Sequence, residues 1–377
     1  MTGREGESTV EKGLVVIDSY GNEYVWIPVF EKSATRTWGV DYSAVATPKT
    51  AEKTKFTAAD YTNIESALKA YTATYKNNDF TDKWYGNSIN ATSGYYNGSK
   101  FIYYTNGNMS QPEYETLYHN MLVSVYKNGG FYIGRYEMGT GVATSVEIAQ
   151  SLTRTRMSEY KAYSDSNTST TVRNNAAPSI AGMPTPVSKA NAVGYTYITQ
   201  NQAQMLAKKM GEVYGYGFTT SSLMFGVQWD AVCVFLEKYG KISDGTQFNS
   251  SYLKDNTYSK LWGNYLNSSF KMDRGYYNIL NESNQFTGWN AKTNKAKGDT
   301  EKWLCTTGAS DQNSVLNIYD FGGNLREWTL ERYSNSEAPA TGRGGKFDDS
   351  YYAFGRYNGG ATYDNVYNCS ARPSLFM

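Results

Sequence analysis

The chain has 377 residues, a formal net charge of +1 and a single histidine. Its Lys and Arg residues are dispersed, so no basic face directs it to nucleic acid or anionic lipid. Three widely spaced cysteines, Cys233, Cys305 and Cys369, exclude a disulfide framework and a CxxC metal knuckle.

The opening "MTGREGESTVEKGLVV" has no apolar core of a signal peptide, and no run of about 18 apolar residues occurs, so neither a leader nor a membrane span is expected. The length suits one large domain or two ordinary ones. Tyrosine supplies 35 residues in a chain of low mean hydropathy. Tyr offers contact area with few rotors and one hydrogen-bonding tip, which suits either recognition or packing.

Residues Leu14 to Phe30, "LVVIDSYGNEYVWIPVF", read as a hairpin about a Tyr-Gly-Asn turn. From about 31 to 108 the chain turns Thr-, Ala-, Asn- and Tyr-rich, a polar insertion with one helical patch at "AADYTNIESALKAY". In "QPEYETLYHNMLVSVYKNGG" the positions Tyr114, Leu117, Tyr118, Met121, Leu122 and Val125 recur at helical spacing, with Pro112 at the start and Gly129 past the end. His119 lies on this helix and reads as a surface or packed residue rather than a catalytic one. "FYIGRYEMG" follows as a strand.

Residues 144–192 read as a second, Ser/Thr/Asn-rich insertion. Two helices come next: "TQNQAQMLAKKMG", with Thr199 as N-cap and Gly211 just past its end, and "SSLMFGVQWDAVCVFLEKYG", stopped at Gly240. Cys233 lies beside the apolar stripe of the second and reads as a small core residue. Residues 241–300 form a third polar, turn-rich insertion. Short strands and loops fill the last third.

Taken in order, "YVWIPV", "GGFYIGRYEMG", "SSLMFGVQWDAV", "NIYDFGGNLREWT", "RGGKF" and "ARPSL" resemble the formylglycine-generating enzyme (sulfatase-modifying factor) family. The resemblance covers the whole chain through scattered islands. It implies one α+β domain over residues 1–377 with a C-type-lectin-like fold of the sulfatase-modifying-factor subtype: short antiparallel sheets, few helices and many loops. In some members the segment matching Asp320 to Glu327 wraps a calcium ion. Asp320, Gly323, Leu325 and Glu327 would take those places, although Asp320 stands where the family has Asn; oxygen-only ligation suits calcium. Independently of the family, Gly322-Gly323 permits a tight turn, Trp328 can anchor a core, and Glu327 needs a partner if buried.

The catalytic members hold copper on two cysteines a few residues apart near the C-terminus. This chain has only Cys369 there, so a copper-dependent oxidase is disfavoured and no catalytic residue is assigned. The ending resembles another branch of the fold, the variable proteins of diversity-generating retroelements. Arg343-Gly344-Gly345 opens the segment 343–377 and Ala371-Arg372-Pro373-Ser374-Leu375 closes it. Cys369-Ser370 stands where an apolar residue and a glycine are usual.

In those systems adenine randomisation of AAC-type codons cannot make Lys, Glu, Gln, Met or Trp. Those five types make up roughly a fifth of this chain, so about five or six would be expected in 29 residues; none occurs from Asp348 to Phe376. The implied function is non-enzymatic ligand binding, receptor- or adhesin-like, on a cell surface or a phage particle. Candidate ligand-binding residues are Phe347, Asp349, Tyr351, Tyr352, Phe354, Arg356, Tyr357, Asn358, Tyr363, Asp364, Asn365, Tyr367 and Asn368. They combine aromatic anchors with hydrogen-bonding groups of little charge. A protein ligand is expected first and a glycan second, since no Glu-Pro-Asn or Gln-Pro-Asp motif is present in the last hundred residues. No cofactor is expected, apart from the structural calcium the resemblance allows. Gly344, Gly345, Arg343, Arg372 and Leu375 are assigned to the scaffold.

Overall fold

The structure, a computed structural model, describes residues 2–3, 7–29, 53–86, 94–96, 101–103, 105–142, 178–334, 339–360 and 367–377. The chain is a mixed α/β protein with few helices and several short, mostly antiparallel sheets. A six-stranded antiparallel sheet joins the two ends of the chain. The hairpin strands Val15–Ile17 and Glu23–Pro28 pair with each other, and Glu23–Pro28 pairs with Gly130–Gly134. The last strand, Pro373–Phe376, lies between Gly130–Gly134 and Thr220–Leu223, with Leu375 opposite both Tyr132 and Ser221.

A five-stranded sheet carries the C-terminal region. Its central strand, Arg326–Tyr333, pairs antiparallel with Ala340–Arg343 and parallel with Cys369–Ala371. Ala340–Arg343 pairs in turn with Arg356–Gly360. A three-stranded sheet of Tyr276–Leu280, Phe286–Ala291 and Trp303–Cys305 lies mostly within the third polar segment.

Helices form where caps and apolar spacing coincide. Helix α1 (Ala58–Tyr71) opens on a reciprocal cap in which the Thr57 amide donates to Asp60 and the Asp60 amide donates to Thr57. Although α1 lies in a polar stretch, it buries Ile64 and Leu68 in the main core, each contributing about 1.5–3 kcal/mol. Helix α2 (Gln111–Asn128) has Pro112 in its first turn and ends at Gly129, whose φ of 76° is the left-handed stop its sequence calls for. His119 stacks on Tyr61 of α1 at 3.8 Å, a packing contact.

Two boundaries differ from the sequence reading. Helix α3 (Gln200–Val213) starts at the Thr199 cap but runs through Gly211. There the missing side chain allows close approach: a Cβ on Gly211 would lie 3.0 Å from that of Ser221. The stretch "SSLMF" does not begin a helix. Thr220–Leu223 is a strand paired with the C-terminal strand, and helix α4 covers only Gly226–Tyr239.

The reason for the second difference is a competing partner. Gln204 of α3 accepts the Leu223 amide at 2.8 Å and the Ser222 hydroxyl at 3.1 Å, so the strand is hydrogen-bonded on both edges. Helix α4 then drives Trp229, Cys233, Phe235 and Leu236 into the core. Phe30, the end of the expected hairpin, and 143–177, most of the second insertion, lie outside the described residues.

Candidate ligand-binding face

The frame of the C-terminal segment is ionic and buried. Arg343 is fully enclosed, with Nη2 2.7 Å from Asp230 and Nη1 3.0 Å from Glu331. Arg356 meets the same two carboxylates: Nε is 2.8 Å from Glu331, and Nη2 is 2.8 and 2.7 Å from the Asp230 oxygens. Two guanidinium groups and two carboxylates thereby tie α4 to three strands of the five-stranded sheet. Burial opposes ionisation of Glu331, but Arg356 and Arg343 outweigh it and hold the carboxyl below its ordinary value. Gly344 and Gly345, at φ 90° and 76°, turn the chain immediately afterwards, a conformation other residues adopt at a cost.

A second buried frame holds the other end. Arg372 Nε lies 3.1 Å from both Glu327 oxygens, and its remaining nitrogens donate to the carbonyls of Gly134 and Tyr319. Beside it, Glu137 accepts the Leu325 amide at 3.0 Å and the Asn324 side chain at 2.8 Å. Asp320 accepts the Gly308 amide at 2.6 Å, and burial pushes its carboxyl up to about 6. Trp328 is buried with its indole N–H on the Ile198 carbonyl.

The loop from Asp320 to Glu327 therefore gathers three carboxylates, but it does not present them to a cation. Glu327 is spent on Arg372. Asp320 accepts the Gly308 amide, and both Glu327 oxygens lie against the Arg372 guanidinium. The two side-chain carboxylates of the expected calcium set, Asp320 and Glu327, are thus both already bonded within the protein. Among the described residues no group of three or more His, Cys, Asp or Glu side chains is arranged to hold a metal.

Between the two frames the candidate residues separate by environment. Phe347 is fully buried, clustered with Val193, Leu280, Trp289, Leu304 and Leu325. Arg356 belongs to the ionic frame, and Asn368 is buried with its carbonyl accepting the Arg326 amide. Tyr367 is half-buried and donates to Asp348 at 2.6 Å.

Tyr351, Tyr352 and Phe354 are half-exposed and form a ladder of nearly parallel rings. Centroids lie 4.5 Å apart for the first pair and 6.5 Å for the second, with interplanar angles of 13° and 14°. Tyr357 is 42% exposed, and the Arg326 guanidinium lies 3.7 Å from its ring centroid. Asp349 is part-exposed and ties the Lys346 amide to Arg326. Asn358 contributes backbone pairing to Thr341, while Tyr363, Asp364 and Asn365 lie outside the described residues.

Lys254, which no pattern in the sequence marked, adjoins this face, and the buried Tyr75 and Arg326 lie behind it. Lys254, a hundred positions upstream of Phe354, places its ammonium 5.6 Å from the Phe354 ring and 4.7 Å from that of Tyr75. Tyr75 comes from the first polar segment and Arg326 from the central strand. Behind the ionic frame a cavity of about 250 Å³ is lined by Phe80, Asp82, Val227 and Arg356, with Lys76 and Lys83. Asp82 accepts the Gly226 and Val227 amides at 2.6 and 2.8 Å, a carboxylate at the N-terminus of α4. Burial, then Glu331, pushes Asp82 up to about 7.

The three thiols are buried and form no disulfide, on α4, on Trp303–Cys305 and on Cys369–Ala371. No helix among the described residues is long and apolar enough to cross a membrane. Fold and site together define an α+β protein that carries a part-exposed aromatic segment between two buried ionic frames.

No family model matches the chain and no curated protein does. A solved structure titled "Crystal Structure of CarF" matches at 11% identity, covering 66% of this chain and 87% of that one, with a TM-score of 0.30. A likeness of that depth carries no argument about fold or function.

Proposed function

We propose that the chain is a non-enzymatic ligand-binding protein, of receptor or adhesin type, on a C-type-lectin-like fold of the sulfatase-modifying-factor subtype. Its recognition surface is the segment between the two frames, diversified by a retroelement and displayed on a cell surface or a phage particle. One contrast supports this reading. Arg343 and Arg372, which bracket the segment, are fully buried in ion pairs, whereas Tyr351, Tyr352, Phe354 and Tyr357 between them reach solvent. Phe354 stacks against the frame's arginines, but Tyr352 and Tyr357 can change without disturbing either ion-pair frame, as a selectable binding surface requires.

A protein ligand is favoured because the exposed set is aromatic with little net charge and the arginine beside it is already paired with a ring and a carboxylate. A glycan is the second reading, since part-exposed rings also stack on sugars. Copper-dependent oxidation of a cysteine is disfavoured by three thiols buried on three separate elements.

The test runs a glycan array beside a displayed library of surface proteins, using the wild type and a Tyr351→Ala/Tyr352→Ala/Tyr357→Ala variant. Selective protein binding that the folded variant lacks supports the proposal. Strong glycan binding reverses the order of ligands. Conversion of a cysteine peptide to formylglycine in the presence of copper would overturn the non-enzymatic reading.

A further inference from the structure

Lys297 is a fully buried lysine whose ammonium contacts only backbone oxygens among its hydrogen-bond partners. The carbonyls of Tyr265 and Ser268 lie at 2.8 Å, that of Gly298 at 3.1 Å and that of Leu266 at 3.2 Å. An ammonium has three N–H donors, so the acceptors outnumber the hydrogens. Converging neutral carbonyls in excess of the available donors suit a spherical charge, as in carbonyl-lined potassium sites.

No carboxylate bonds to the ammonium. Asp299 and Glu301 lie near enough to favour its charge without bonding to it, and Glu301 is taken up by Lys295 at 2.6 Å and by the Gly298 amide at 2.7 Å. Uncharged ligation of this kind favours a monovalent over a divalent cation. Burial pulls the Lys297 ammonium down to about 8, which leaves it mostly charged at neutral pH.

The cage also touches the ligand-facing segment. The Tyr265 hydroxyl donates to the Gly344 carbonyl and the Leu266 amide to that of Asp349, both at 2.9 Å. Ser268 closes the loop on itself, its hydroxyl donating to the Tyr265 carbonyl at 2.7 Å and accepting the Tyr265 amide at 2.9 Å.

We propose that the carbonyls of Tyr265, Leu266, Ser268 and Gly298 form a monovalent-cation site whose resident cation is the chain's own Lys297 ammonium, and that this site positions residues 344–349 from behind. Lys297 is thus a positioning residue, acting through Tyr265 and Leu266. The cation site stands on its own geometry; its importance for ligand binding rests on the proposed recognition surface.

Lys297→Ala in the full chain empties the cage. Its thermal midpoint is measured in chloride salts of potassium, ammonium, lithium and tetramethylammonium at one ionic strength. The expected result is a loss of roughly 5 °C or more in tetramethylammonium, with a saturable part of it restored by potassium or ammonium. Wild type, and Lys297→Met whose side chain fills the cage, should show no such preference. Equal midpoints for Lys297→Ala in all four salts overturn the site.

Should Lys297→Ala fail to fold, the wild-type protein labelled at lysine nitrogens decides. One ammonium resonance protected from solvent exchange supports the site, and the absence of any overturns it. Hydrogen exchange at the 344–349 amides of Lys297→Ala, with and without potassium, tests the positioning without any ligand. Protection that does not follow the cation removes that part of the proposal and leaves the recognition surface to its own test.

Discussion

Arg372 and Glu327 meet face to face in the interior, Arg372 Nη2 2.6 Å from one carboxylate oxygen and Nε 3.1 Å from both. The contact joins the end of the chain to the strand that follows the Gly322-Gly323 turn. Neither group has water to fall back on, so removing one strands the other. Arg372→Met or Glu327→Gln should each cost about 3–5 kcal/mol, and the double variant less than the sum. Denaturant unfolding measures this; additive or negligible losses would show the pair to be uncoupled.

The candidate face predicts a graded response to truncation. Phe347→Ala removes a fully buried ring and should cost about 3–5 kcal/mol. Tyr352→Ala and Tyr357→Ala, at positions that reach solvent, should each stay within about 1 kcal/mol. Comparable losses at all three positions, read from unfolding midpoints, would make the exposed rings part of the core and sink the recognition surface.

Stability should respond to pH through Asp82, whose carboxyl is raised from 3.8 to about 7 by burial and then by Glu331. The folded state holds this proton more tightly than the unfolded chain does. The resulting stabilisation is complete below about pH 4 and is lost as pH rises through 7. Asp82→Asn does not titrate, so its stability relative to wild type should climb between pH 4 and 7, by at most about 1.4 kcal/mol per unit. Urea midpoints at several pH values give the difference; a constant offset contradicts the assignment. Asp320, raised to about 6, bends the wild-type curve in the same direction.

Burial also governs the thiols. Cys369 is pushed up to about 11 and Cys233 and Cys305 beyond that, in each case mainly by desolvation. Since the thiolate is the reactive form, native protein at pH 8 should label with a thiol reagent on the order of a hundredfold more slowly than unfolded protein. Rapid labelling of Cys369 in the folded state would reopen the question of a reactive centre.

Much of the secondary structure was legible because its signals are local. The spacing in "YETLYHNMLVSV", Pro112 and Gly129 specify α2 without reference to the rest of the chain, and Thr199 marks the start of α3. The hairpin about Tyr20-Gly21 is equally local. Where reading failed, a distant partner had intervened. Gly211 looked like a helix stop but is an interior residue, because Ser221 packs where its side chain would be. "SSLM" lost its helix to the paired backbones of the C-terminal strand and the Gln204 side chain.

The same division runs through the site. Residue types alone determined that Glu327 would need a partner if buried, that Gly344-Gly345 would turn, and that the segment after them would be aromatic with little charge. Only the tertiary structure decided that the partner is Arg372, that Arg356 belongs to an ionic frame with Asp230 and Glu331, and that Phe347 faces inward while Tyr357 faces out. Backbone preference and capping act over a few residues and can be read along the chain. Burial and charge pairing depend on which distant segments share a volume, and that is settled only when the chain closes on itself.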